Sequence, residues 1–111
     1  MSNQAGLSKP WVLNDDSIGD AALLFKHCGR IPYAQVILHI LADHPDQIYS
    51  LPQLAREAET DTYGISEAIR LVDRAIDAYG RAPLIQKVND GYRVAEGAAN
   101  VLKAAWESWS S

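Results

Sequence analysis

The chain has 111 residues, of which 48% are hydrophobic, and it carries a formal net charge of −4 at pH 7 with a pI of about 5.2. This length and apolar content predict a single folded domain and exclude an intrinsically disordered chain. The single cysteine excludes an intramolecular disulfide. No apolar run approaches the roughly 18 residues of a membrane span, and the N-terminus lacks the hydrophobic region of a secretory signal. We therefore expect a cytoplasmic protein with no membrane partner.

Composition and turn signals divide the chain into four parts. They are a flexible tail (1–10), an N-terminal extension (11–29), a central domain (30–95) and a C-terminal helix (96–111).

The N-terminal extension is predicted to be mainly one helix, from Ile18 to Cys28. The residues at 15–17 offer N-caps before it, and Gly29 ends it. The preceding Trp11-Val12-Leu13 either forms a strand or anchors the tail. An alternative for this part places Leu23–Lys26 in a small sheet.

Three elements are predicted at the start of the central domain. Pro32 begins an apolar, largely buried helix, at a position where its missing N–H costs nothing. Residues 47–49 favour a short strand. Ser50, with Gln53 three residues on, forms a capping box that opens a short helix over 51–59.

A long helix and a hairpin complete the central domain. Residues 64–79 are amphipathic, with an inward stripe of Ile65, Ile69, Val72, Ile76 and Tyr79, and Gly80 ends the helix. Residues 84–88 and 92–94 read as strands, and Asn89-Asp90-Gly91 supplies the positive φ angles of a tight turn. Residues 98–109 read as a final helix.

This order of elements predicts an α+β, mostly α fold: a winged helix-turn-helix, with a three-helix core, a β-hairpin wing, and extra helices at both termini.

Two segments carry a resemblance to the DNA-binding domain of OmpR/PhoB-type response regulators. They are His44-Pro45-Asp46-Gln47-Ile48-Tyr49-Ser50, similar to the step into that family's second helix, and Leu84-Ile85-Gln86-Lys87-Val88-Asn89-Asp90-Gly91-Tyr92-Arg93-Val94, similar to its wing but two residues shorter at the tip. The resemblance covers about residues 30–95, without a receiver domain. It implies a stand-alone winged-helix regulator and does not imply control by phosphorylation.

The outward face of the long helix holds the first candidate DNA contacts. If the helix enters the major groove, Arg70 and Arg74 reach guanine edges or phosphates, and Ser66 adds a hydrogen bond. Arg81, just beyond the helix, is expected to touch the DNA backbone. The alternative is a solvated face in which these arginines pair with acids three or four residues away.

The hairpin holds the second set of candidate contacts. Lys87 and Arg93 flank its turn, and on cross-strand neighbours they would give a positive wing for phosphates or a minor groove. The alternative is two ordinary exposed cations.

The terminal helix carries a large apolar load at Leu102, Trp106 and Trp109. These side chains either pack against the N-terminal segment around Trp11 and Phe25 or form an interface, most plausibly of a homodimer, which suits a regulator that reads two half-sites.

Other chemistry is not expected. His39 lies on an apolar helix and is interpreted as a hydrogen-bonded core histidine, and Cys28 as a small buried hydrophobic residue. No histidine or cysteine spacing suits a metal, and no nucleophile–base pair or phosphate loop is found, so we expect neither a cofactor nor an enzyme.

Two functions from different classes remain open. The first is a DNA-binding transcriptional regulator, a repressor or modulator, with double-stranded DNA as partner. The second is a winged-helix module that binds a protein and has little affinity for DNA, one version being an acidic DNA mimic or a regulator of a DNA-binding partner. Residues 62–94 contain 5 Lys and Arg against 4 Asp and Glu, whereas the rest of the chain contains 5 against 10. The positive balance lies where the fold would meet DNA, which favours the first function.

Overall fold

The computed structural model of the protein describes residues 9–95 and 97–110, with side chains up to residue 107. Its elements are α1 (Asp15–Cys28), α2 (Ala34–Asp43), β1 (Tyr49–Ser50), α3 (Leu51–Glu57), α4 (Thr62–Ala78), β2 (Ile85–Val88), β3 (Gly91–Val94) and α5 (Ala98–Ser110). The fold is α+β and mostly helical, as predicted. The expected flexible tail, apart from Lys9 and Pro10, lies outside the described residues. No helix of the described ranges has the length and apolar content to cross a bilayer.

The three strands form one antiparallel sheet in the order β1-β3-β2. Val88 pairs with Gly91, so the β2–β3 turn contains only Asn89 and Asp90. Asn89 has the positive φ of 53° that the turn needs, whereas Gly91 has none and is not the turn residue that the sequence suggested. Gly91 serves the sheet instead, because a Cβ there would collide with Ile48 and lie 2.9 Å from the carbonyl oxygen of Tyr49.

The core lies between the helices and the inner face of this sheet. Four of the five residues in the predicted stripe of α4 are buried, at positions 65, 69, 72 and 76, but Tyr79 is 38% exposed because it lies beyond the last helical turn. Helices α1 and α5 pack against each other and join the same cluster of buried residues as the central domain. The terminal helices are therefore part of the core.

Helix boundaries follow the caps. Ser50 and Gln53 form the predicted capping box of α3. Asn14 rather than residues 15–17 caps α1, since its side chain accepts a 2.8 Å hydrogen bond from the Ser17 N–H. Pro32 does not begin α2, because Tyr33 adopts a left-handed conformation (φ 67°) immediately before the helix.

Residues 9–14 anchor the start of the described chain, and Trp11-Val12-Leu13 do not form a strand. Trp11 is buried, and its indole N–H donates to the carbonyl oxygen of Ala82 at 2.6 Å. Lys9 forms a parallel bridge with Arg81, which ties the segment to the link between α4 and β2. The alternative sheet at Leu23–Lys26 is wrong, since these residues lie within α1.

Candidate nucleic-acid interface

Helix α4 presents a polar face to solvent because its apolar residues recur on the opposite side at helical spacing. Ser66, Arg70 and Arg74 are all exposed on this outward face, as the sequence predicted. Asp61 begins the helix by accepting a hydrogen bond from the N–H of Gly64 at 2.8 Å. The outward face is thus exposed and open to a partner.

One arginine of this face is held by an acid of the same helix. Arg70 donates from Nε and Nη2 to the two carboxylate oxygens of Glu67, at 3.2 and 2.8 Å. This hydrogen bonding lowers the pKa of Glu67 and raises the pKa of Arg70, so the pair stays charged at neutral pH. Arg74 forms no ion pair within the described residues and keeps its full donor set for a ligand.

Tyr63 is a candidate contact that sequence reasoning missed. Its side chain is 73% exposed in the first turn of α4, the largest exposure of any large hydrophobic residue described. The amphipathic pattern predicted a helix from Gly64, whereas α4 begins two residues earlier, at Thr62. Asp61 is an N-cap residue one position before Thr62, and it predicts a helix that includes Tyr63.

Arg81 is not available to DNA, which corrects the prediction from sequence. The residue is only 4% exposed, and Nε and Nη2 donate to Asp20 and Asp16 at 2.8 and 2.6 Å. Nη1 donates to the Pro10 carbonyl oxygen and the Ser17 hydroxyl, at 2.9 and 3.0 Å. The guanidinium also lies 5.0 Å from the ring centre of Trp11. Arg81 thus joins the N-terminal segment, α1 and the end of α4.

Lys87 and Arg93 lie on opposite faces of the hairpin. Lys87 pairs with Tyr92, and Arg93 pairs with Gln86. Directly paired residues share a face and consecutive residues alternate, so these two cations are not the cross-strand neighbours that the sequence suggested. Lys87 is exposed, whereas Arg93 is half-buried.

Arg93 instead lines an open cavity of about 390 Å³. Its walls also include Pro45, Asp46 and Asn100. A partner that lies against one face of the hairpin therefore contacts Lys87 or Arg93, but not both.

The proposed interface on α5 is largely internal. Leu102 is fully buried and cannot contact a second molecule. Trp106 is half-buried, with ring centres 5.3 Å from Phe25 and 3.9 Å from His39. This confirms packing against Phe25, while Trp11 lies elsewhere, on Arg81. The side chain of Trp109 lies outside the described residues.

His39 differs from the prediction, and Cys28 agrees with it. The His39 ring is exposed to solvent and stacks on Trp106, with Phe25 edge-on at 5.2 Å, so it is not a hydrogen-bonded core residue. Cys28 is fully buried, and this burial raises the pKa of its thiol to about 11. Among the described residues no three His, Cys, Asp or Glu side chains cluster as a metal site would require.

The burial of Arg81 changes the charge balance of the candidate interface. Without it, residues 62–94 keep four exposed or half-buried cations against four acids. No known protein family, curated protein or solved structure matches the chain. The site must therefore be interpreted from its own geometry.

Proposed function

We propose that the protein is a winged helix-turn-helix regulator that binds duplex DNA through the outward face of α4. The observation that carries this proposal is the strand order β1-β3-β2 combined with the position of α4 directly before the β2–β3 hairpin. In a winged helix, a short strand after the first core helix completes a sheet with the wing, and the third core helix reads the major groove. Here α2, α3 and α4 are the three core helices and β2–β3 is the wing.

The exposed chemistry of α4 supports a role in DNA reading. Arg74 offers a free guanidinium fork, which matches guanine O6 and N7, and Ser66 can donate to a phosphate near the start of the helix. Tyr63 adds an aromatic ring for a thymine methyl group. Lys87 adds a positive charge on the hairpin.

Single substitutions on this face test the proposal. Duplexes first selected from a randomised library provide the probe, and Arg74→Ala is expected to weaken binding to the selected sequence by about 1–3 kcal/mol. Lys103→Ala is the matched control, since Lys103 is an exposed cation on α5, and it should leave affinity unchanged. Equal affinities for wild type and Arg74→Ala would remove α4 as the reading helix.

A second candidate function is favoured by the Glu67–Arg70 pair. This salt bridge places a carboxylate in the middle of the outward face, where it repels phosphates. Such a face suits a protein partner with alternating charges, and the protein would then be an interaction module of the same fold.

Glu67→Gln separates the two candidates. The change frees Arg70 and removes one negative charge, so a DNA-binding α4 gains affinity for non-specific duplex several-fold at low salt. A protein-binding α4 shows no gain for DNA and instead loses a contact with its partner. The substitution is on the helix surface, so the free energy of unfolding should change by less than about 0.5 kcal/mol.

A further inference from the structure

We infer that the exposed stripe of α1 is a self-complementary surface on which a second copy of this chain docks antiparallel. The stripe consists of Asp15, Gly19, Leu23, Lys26 and His27, all of which are exposed. At 100° per residue they fall within about 120° of the helix circumference. This stripe is a different surface from the outward face of α4, so docking on it does not depend on DNA binding.

The stripe has an acidic end, an apolar centre and a basic end. Asp15 and the adjacent, exposed Asp16 lie in the first turn of α1, and Lys26 and His27 lie in its last turn. Leu23, in the middle, is 60% exposed. Residues 21–42 contain no acid at all, in a chain that has 14. The basic end is thus free of neighbouring carboxylates in sequence, which is unusual in this acidic chain.

The charges at the acidic end are partly engaged within the chain, but not fully. Asp16 bonds Arg81 and lies 3.7 Å from Lys9, while its side chain remains 66% exposed. Asp15 forms no ion pair within the part of the chain that the structure describes. Asp15 therefore supplies the uncommitted negative charge for a partner's basic end.

An antiparallel pairing brings these ends together in one register. With the two-fold axis level with position 21, Asp15 faces His27 of the second copy, Asp16 faces Lys26, and Gly19 faces Leu23. Each contact occurs twice, because a two-fold interface is self-complementary. Lys26 then lies opposite a carboxylate of the second copy, and the His27 ring can donate an N–H to another.

Gly19 supplies independent support for this register. Glycine weakens the interior of a helix relative to alanine. A Cβ at Gly19 would meet nothing within 4 Å, so packing within the monomer does not require glycine there. In the antiparallel pair the missing side chain leaves room for Leu23 of the second copy, and the two helices can approach closely.

The size of the surface sets the strength of the dimer. Helix α1 has 14 residues and is about 21 Å long. Two helices of this length in contact bury less surface than the about 1,600 Å² of a standard interface. We therefore expect a reversible dimer with a dissociation constant on the order of 10–100 μM. This interface replaces the one predicted on α5, where Leu102 is buried.

Sedimentation velocity over about 10 μM to 1 mM protein tests the inference through charge exchange. His27→Glu places a carboxylate opposite Asp15 of the second copy, and Asp15→Lys removes the carboxylate opposite His27, so each alone should weaken dimerisation about tenfold. An equimolar mixture of the two variants should recover the dimer, since the carboxylate introduced at position 27 of one variant then faces the ammonium group introduced at position 15 of the other. Lys103→Glu is the matched control for an added surface carboxylate and should leave the dimer intact.

A second variant tests the contact between Gly19 and Leu23 of the second copy without changing any charge. Gly19→Gln is tolerated by the monomer, where the space is open, and should abolish the dimer by blocking Leu23 of the second copy. Wild-type protein that stays monomeric at about 1 mM overturns the inference. So does a mixture of charge variants that stays monomeric, or a His27→Glu variant that loses DNA affinity while its dimerisation is unchanged, which would assign the basic end to phosphates.

Discussion

Arg81 illustrates how a residue predicted to meet a ligand can belong to the interior. Its four hydrogen bonds reach Pro10, Asp16, Ser17 and Asp20, which lie 61 to 71 positions away in sequence. Position on a helical wheel cannot reveal partners so distant. A planar guanidinium suits such a site because its fork donates in several directions at once.

Replacing Arg81 by alanine is expected to destabilise the fold. The change removes two ion pairs and two hydrogen bonds and leaves a hole between α1 and the end of α4. Since Asp16 is largely exposed and rehydrates, we expect a loss of about 2–4 kcal/mol in the free energy of unfolding, measured with urea. Arg74→Ala, on the surface, should change it by less than about 0.5 kcal/mol. Equal stabilities of the two variants would refute a structural role for Arg81.

The buried thiol of Cys28 predicts a loss of stability at high pH. Burial raises its pKa from 9.0 to about 11, so above pH 9 the unfolded chain releases a proton that the folded chain still holds. This contribution to stability is complete below pH 9 and is lost as pH rises towards 11, by about 2–3 kcal/mol.

Cys28→Ala isolates this effect. Burial, and then the charges of Glu57 and Asp43, also raise the pKa of Tyr49, so some fall in stability remains in the variant. The free energy of unfolding of Cys28→Ala should nevertheless decline less steeply than that of wild type between pH 9 and 11. Parallel curves for the two proteins would contradict the assignment.

The cap of α4 links local sequence to the candidate site. Asp61 satisfies an N–H of the first turn, next to exposed Tyr63 and Ser66. Asp61→Ala should cost about 1 kcal/mol in the free energy of unfolding, and Asp61→Asn, which keeps the side-chain acceptor, should cost much less. Circular dichroism during thermal unfolding measures both. If the asparagine variant loses as much as the alanine variant, the cap is not the stabilising contact.

Local patterns predicted most elements, and failed where one residue of register mattered. The amphipathic period located α4, and the capping box located α3. A three-residue turn at 89–91 was expected in the hairpin, but the observed turn has two residues. That difference moves the pairing by one position and places Arg93 on the face opposite Lys87. The need for a glycine at position 91 to leave room for Ile48 could not be predicted from the sequence, because it depends on β1 packing beside β3.

The candidate site was predicted from sequence only in its central part. Ser66, Arg70 and Arg74 lie exposed where the helical period put them, because the apolar stripe of one helix fixes its polar face. The pairing of Arg70 with Glu67 follows from spacing as well, and was anticipated as the alternative of a solvated face. Packing of Leu102 and Trp106 against the N-terminal helix was one of two alternatives that the sequence left open, since the choice depends on how α5 packs against α1.

The whole molecule combines an acidic surface with a candidate reading face that is nearly neutral. The net charge of −4 opposes sequence-blind attraction to DNA, because repulsion by the rest of the surface offsets the few free cations. The proposed DNA binding would then have to come from specific contacts to bases, supported by pairing of two copies on neighbouring half-sites. The proposed α1 dimer meets that need without adding positive charge.

The most direct test of DNA reading by α4 is a fluorescence-anisotropy titration of a pool of promoter fragments at about 50 and 200 mM salt. If α4 reads DNA, binding is saturable, is selective among fragments, weakens with salt, and is weaker by about 1–3 kcal/mol in Arg74→Ala. Absence of binding by wild-type protein at the lower salt concentration would contradict it and would favour the protein-interaction module.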